Sequence, residues 1–156
     1  MNAVDREQLT VWFDAVRRIH HPVIAAYLQT LLLSRARPGE VLALRWDEIN
    51  TKWRALTICD KVEGERVTPL TPYVSHLLRA PPRRNERGFS SLTAAAGVLT
   101  IPRKQHGEAC AVAGIDDVAL HGLRRSFKSL TERLEIPACV VAQIMGHKPS
   151  ATAERH

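Results

Sequence analysis

The chain has 156 residues, of which 45% are hydrophobic and 24% charged, a balance that supports one packed domain and excludes a disordered chain. Its longest apolar run, Val23 to Leu33, is interrupted by Gln29 and Thr30 and is too short to cross a bilayer, so no membrane association is expected. Twenty-two Lys and Arg against sixteen Asp and Glu leave a net charge of +6 and a pI near 9.7, which suggests nucleic acid as a partner without deciding the fold.

The first helix is predicted from about Arg6 to His20. Asp5 with Gln8 resembles a capping box, and Leu9, Trp12, Phe13, Val16 and Ile19 make one apolar stripe. Pro22 opens a second helix to about Ser34 that is apolar nearly all round, the mark of a central core helix. Pro38 begins a third, short helix carrying Val41, Leu42, Leu44 and Trp46 and ending near Asp47. Strand formers then dominate from Trp53 to Cys59 and from Arg66 to Leu70, joined by a turn at Val62 to Glu65 that puts Lys61 at the lip of a hairpin.

Thr71 caps and Pro72 starts the next helix, with Val74, Leu77 and Leu78 facing inward. Ala80 to Gly88 reads as a basic surface loop, too short to divide two domains. Helices are predicted over Pro102 to Ala113, stopped by Gly114, over His121 to Leu134 with Leu123, Phe127, Leu130 and Leu134 inward, and over Pro137 to Met145 before Gly146. The fold class is α+β, a mostly helical single domain with a small antiparallel sheet.

Cys59, Cys110 and Cys139 are odd in number and widely spaced, which argues against a disulfide framework or a zinc cluster and fits a cytoplasmic location. The start, Met1 to Thr10, has no apolar core, so no signal peptide is expected.

Three features could carry chemistry. His121, Arg124 and Lys128 share one helix face, either a solvated stripe or a cationic surface. Arg37 directly precedes a helix, where it could meet an oxyanion or could simply pair with Glu40. Lys61 at a hairpin tip serves solubility as readily as function.

Together these residues resemble the tyrosine recombinases, the phage-integrase family. Leu31 to Trp46 (LLLSRARPGEVLALRW) is similar to the first signature box, and His121 to Phe127 (HGLRRSF) to the second, H-x-L-R-R. Met145-Gly146-His147 is similar to the L-G-H element, and Lys61 to the β-hairpin lysine. The resemblance covers nearly the whole chain in the family order.

It implies a DNA strand-exchange enzyme, with the fold of that family's catalytic domain. In such enzymes a tyrosine attacks the scissile phosphate, giving a 3′-phosphotyrosine and a free 5′-hydroxyl, with no metal, ATP or other cofactor. By resemblance Arg37 and Arg124 bind the non-bridging oxygens, His147 adds a hydrogen bond, Lys61 protonates the leaving 5′-oxygen and His121 supports proton movement at the tyrosine. The implied partner is double-stranded DNA, with a tetramer on DNA for the full-length enzyme and a monomer for this polypeptide.

Two departures stand out. Arg35 occupies a position where the family usually has Gly, a residue that permits positive φ. Ser150 to His156 is similar to the run that precedes the nucleophile, so the expectation is a catalytic domain that stops just before its tyrosine and lacks the amino-terminal DNA-clamping domain. Tyr27 and Tyr73 match no motif.

Two other readings fit parts of the sequence. A non-catalytic helix-turn-helix module would need base-reading side chains on the helix from Pro137, which offers only Gln143. An inactive prophage remnant would keep the fold and bind DNA without chemistry. Trp46 and Trp53 read as core, Glu40 as a buried partner of Arg37, and His20, His21, His76 and His106 receive no role.

Overall fold

The computed structural model describes residues 3–60, 64–80, 100–116, 118–137 and 139–140. Among these are six α-helices and a three-stranded antiparallel sheet. Lys61, His147, the loop over 81–88, nearly all of the helix expected from Pro137 and the run 150–156 lie outside the described residues; Cys139 and Val140 are helical.

Helix α1 (Arg6–Arg17) begins where Gln8 Oε1 accepts the Asp5 amide at 3.0 Å. It stops short of His20 because the residue before Pro22 is pushed out of the helical region, and His21 is extended (φ −90°, ψ 105°). Helix α2 (Pro22–Ser34) matches the expected span and is buried on nearly every face. It packs against α1 and three further helices, α3 (Pro38–Ala43), α4 (Pro72–Arg79) and α6 (Leu120–Arg133). Helix α5 (Arg103–Val112) packs on α1 and ends at Gly114, whose φ of +67° glycine tolerates.

Helix α3 ends earlier than expected. Leu44 leaves helical geometry (ψ 132°) to enter the core, a 3-10 turn at Trp46–Glu48 follows, and Ile49–Asn50 form a short strand, β1. Trp53 is a correction: it is 74% exposed, because it sits in the turn 51–54, with Lys52 Nζ 5.7 Å from its ring. The turn consumes Trp53 and Arg54, so β2 starts at Ala55 and runs to Asp60.

Strand β3 (Gly64–Pro69) pairs Leu56 with Thr68 and Ile58 with Arg66. Paired residues share a sheet face, so Arg66 and Thr68 lie on the inward side with the buried Leu56 and Ile58. Leu134 is a second correction: α6 ends at Arg133, Glu135 turns left-handed (φ +55°), and Leu134 is 71% exposed.

Candidate active site

Each described site residue is positioned by local chain geometry. Arg37 is the extended residue at the entry to α3, where Pro38 fixes the first helical φ. Glu40 Oε2 accepts its amide at 2.6 Å, and Glu40 Oε1 lies 3.5 Å from Arg37 Nη1. The Arg37 side chain is 41% exposed and Glu40's only 6%. The expected pairing of Arg37 with Glu40 is therefore present, but the carboxylate mainly serves another residue.

That residue is Arg66, whose Nη1 and Nη2 donate to the two Glu40 oxygens at 3.0 and 2.6 Å. Burial alone would raise the Glu40 pKa. The Arg66 hydrogen bonds, the Arg37 amide and the two positive charges outweigh it and hold the carboxyl below its ordinary value. Sequence reasoning missed Arg66, because its inward position comes from the strand register opposite Ile58.

Arg124 lies one turn beyond His121 on α6, on the same face. Its Nη1 donates to the Arg35 carbonyl at 3.2 Å, and Arg35 Nε donates back to the Arg124 carbonyl at 3.2 Å. Through this reciprocal pair, α6 is fastened to the turn that carries Arg37. Arg35 adopts φ +53°, the left-handed conformation that glycine takes most easily. Burial first, then the Arg124 and Arg66 charges, lowers its pKa to about 10, which leaves it cationic at neutral pH.

A cleft of about 820 Å³ opens between α3, α5 and the start of α6, with Arg37, Glu40, Cys59, Arg103, His106 and His121 on its walls. The structure thus brings Arg37 and His121 to one cleft and ties Arg124 to the same corner. Arg103 was not singled out from sequence, since a basic residue opening a helix carries no distinctive pattern. Arg37 and Arg66 share the Glu40 carboxylate, and Arg35 and Arg124 lie against each other at the neighbouring turn, a cationic setting suited to an oxyanion.

Both tyrosines are hydrogen-bonded within the fold. Tyr27 is fully buried, its hydroxyl donates to the Pro38 carbonyl at 2.8 Å, and burial pushes its pKa up. Tyr73 donates to Gln29 Oε1 and accepts from Arg17 Nη2 at 3.2 Å.

This arrangement of helices around a small sheet is the fold of site-specific DNA recombinases. The chain superposes on the XerH site-specific recombinase bound to difH substrate in a pre-cleavage complex, with a TM-score of 0.75 and 19% identity over 96% of this chain and 48% of that one. A lambda integrase tetramer bound to a Holliday junction gives a TM-score of 0.72 and 13% identity over 96% and 48%.

The Phage integrase family profile matches residues 4–156, and prophage integrase IntF of Escherichia coli (strain K12) is 46% identical over 161 residues. The chain belongs to the phage integrase family. The match takes in 99% of this chain but 34% of IntF, so the chain spans about a third of that relative's length.

Proposed function

We propose that this chain performs the strand cleavage and rejoining of site-specific DNA recombination on double-stranded DNA, through a 3′-phosphotyrosine. The observation that carries this reading is the reciprocal Arg35–Arg124 bond, which fastens the Arg124 segment to the Arg37 turn beside the cleft that His121 also lines. Two fixed planar cations at one corner suit the charge that gathers on a five-coordinate phosphorus.

In this reading a tyrosine oxygen attacks the phosphorus, and its proton passes to His121. The bond to the 5′-oxygen breaks as Lys61 supplies that oxygen with a proton. Arg37, Arg124 and His147 hold the non-bridging oxygens throughout, and attack by a 5′-hydroxyl reverses the steps. Tyr27, fully buried with its hydroxyl on the Pro38 carbonyl, and Tyr73, bonded to Gln29, match no family motif and are not read as the nucleophile.

The partner complex is read as a tetramer on DNA, the state in which lambda integrase is bound to a Holliday junction. The 156-residue polypeptide is read as a monomer in solution, which light scattering tests, and as acting in the cytoplasm. No helix among the described residues is long and apolar enough to cross a membrane.

The deciding experiment appends a tyrosine after His156 and offers a pool of nicked duplexes of randomised sequence. The expected result is a detergent-resistant protein–DNA adduct through that tyrosine, absent from the unextended chain and lost in Arg37→Ala and Arg124→Ala. Cleavage that survives both substitutions overturns the role assignment. Duplex binding by the chain should fall steeply with salt, since phosphate contacts dominate it.

A further inference from the structure

Among the described residues, three non-glycine residues have positive φ: Arg35, Arg54 and Glu135. Arg54 and Glu135 lie in exposed turns, where the chain has room to relax. Arg35 is different, being only 6% exposed. A long cationic side chain is thus held in a backbone conformation that glycine would adopt without strain, and in a place where a charge loses its hydration.

Stability does not account for it. The charges that face Arg35 include the Arg124 and Arg66 guanidiniums, both repulsive, and the nearby Glu40 carboxylate is taken by Arg66 and Arg37. The Arg35 Nη1 has no hydrogen-bond acceptor among the described residues. What Arg35 does have is a two-way bond with one residue. Its Nε holds the Arg124 carbonyl and its own carbonyl holds the Arg124 guanidinium, both at 3.2 Å. Strain and like-charge repulsion kept together in one place point to a positional role.

Building on the strand-transfer reading above, we propose that Arg35 is a positioning residue that locks the Arg37 turn onto α6 and holds the Arg124 guanidinium where it and Arg37 grip one phosphate together. The side chain fixes the α6 backbone at Arg124, and the backbone carbonyl fixes the direction of the Arg124 fork. Neither bond requires Arg35 to touch the phosphate. Glycine at this position would relieve the backbone and leave the two segments joined only by the carbonyl.

The test uses the 156-residue chain labelled with 15N-arginine, with inorganic phosphate as the probe at constant ionic strength. The Nε–Hε signals of the arginines are followed during titration. Arg35→Gly should weaken phosphate binding about tenfold, the low end for the loss of one charge-assisted hydrogen bond in a bidentate grip. It should also shift or broaden the Arg124 signal before any phosphate is added, with no fall in melting temperature. Combined with Arg124→Ala, it should cause no loss beyond that of Arg124→Ala alone, because a residue acting through another is silent once that other is gone.

Arg35→Asn is the second variant, because asparagine tolerates positive φ but is too short to reach α6. Binding within twofold of the parent in both variants, while Arg124→Ala weakens it, overturns the positioning role alone. Losses that add in full also overturn it, since Arg35 would then act independently of Arg124. Phosphate binding unchanged in both Arg37→Ala and Arg124→Ala overturns the active-site reading, and this proposal with it.

Discussion

The carboxylate of Glu40 on α3 receives both terminal nitrogens of Arg66 on β3, at 3.0 and 2.6 Å, and the two side chains are 6% and 10% exposed. This ion pair links the helix that Arg37 opens to the inner face of the sheet. Removing one partner of a buried pair leaves the other desolvated and uncompensated, which costs about 3 kcal/mol. Glu40→Ala and Arg66→Ala should each lower unfolding free energy by about that amount in urea titrations, and the double variant should lose much less than the sum. Glu40 is held below its ordinary pKa of 4.5, so its contribution is present above that pH and is lost as pH falls through the depressed value.

His106 predicts a second acid-sensitive element, with a different range. It is 2% exposed, and burial lowers its pKa from 6.5 to about 4. The Trp12 Nε1–H donates to its Nε2 at 3.4 Å, so the neutral ring carries its proton on Nδ1. Because the folded pKa is depressed, the unfolded chain takes up a proton first. Stability is therefore full above about pH 6.5 and declines down to about pH 4, by about 3 kcal/mol. The difference between the parent and His106→Gln in urea midpoints from pH 7 to 4 isolates this contribution; parallel profiles would refute it.

The parts of this fold that were legible in the sequence are those where one side chain decides. Pro22, Pro38 and Pro72 open helices where expected. The unbroken apolar run of α2 is the core helix, and Leu56 and Ile58 alternate inward. The family resemblance pointed to Arg37, His121 and Arg124, and noted that position 35 favours glycine; the backbone there is indeed left-handed.

What the sequence hid depends on distant pairing. Nothing local in Arg66-Val67-Thr68 shows which side faces the core; the register opposite Ile58 turns Arg66 inward and leaves Val67 61% exposed. Only Glu40, from another element, makes that arrangement tolerable. His106 received no role because nothing local shows that Trp12 covers it. Element ends were the other weakness: Trp53 and Leu134 fit apolar patterns, but each directly precedes a left-handed residue, Arg54 or Glu135, in a turn that exposes it.

Cys59 lines the cleft, yet it should be a poor nucleophile. Its Sγ donates to Glu48 Oε1 at 3.1 Å and lies 3.9 Å from Glu65 Oε1. The Glu48 hydrogen bond first, then burial and the two carboxylate charges, pushes the thiol up to about 11. At pH 8 its alkylation by iodoacetamide should be about tenfold slower than that of free cysteine, after allowing for the greater intrinsic reactivity of a more basic thiolate. Glu48→Gln should recover most of that rate, as followed by peptide mass spectrometry. A parent rate equal to that of free cysteine would contradict the account.

Ser126 anchors the segment before α1 to the helix that carries His121 and Arg124. Its hydroxyl accepts the Val4 amide at 2.7 Å and donates to the Gly122 carbonyl at 2.9 Å, and both Ser126 and Val4 are fully buried. A buried amide left without an acceptor costs more than the hydrogen bond itself contributes. Ser126→Ala should therefore destabilise the chain by about 2 kcal/mol and lower Tm by about 5 °C. Replacement by Thr, which keeps the oxygen but adds a methyl group to a filled site, should also destabilise, through overpacking. The two are separable by hydrogen exchange: only Ser126→Ala should speed exchange of the Val4 amide far beyond the change in global stability, because only there is the acceptor gone.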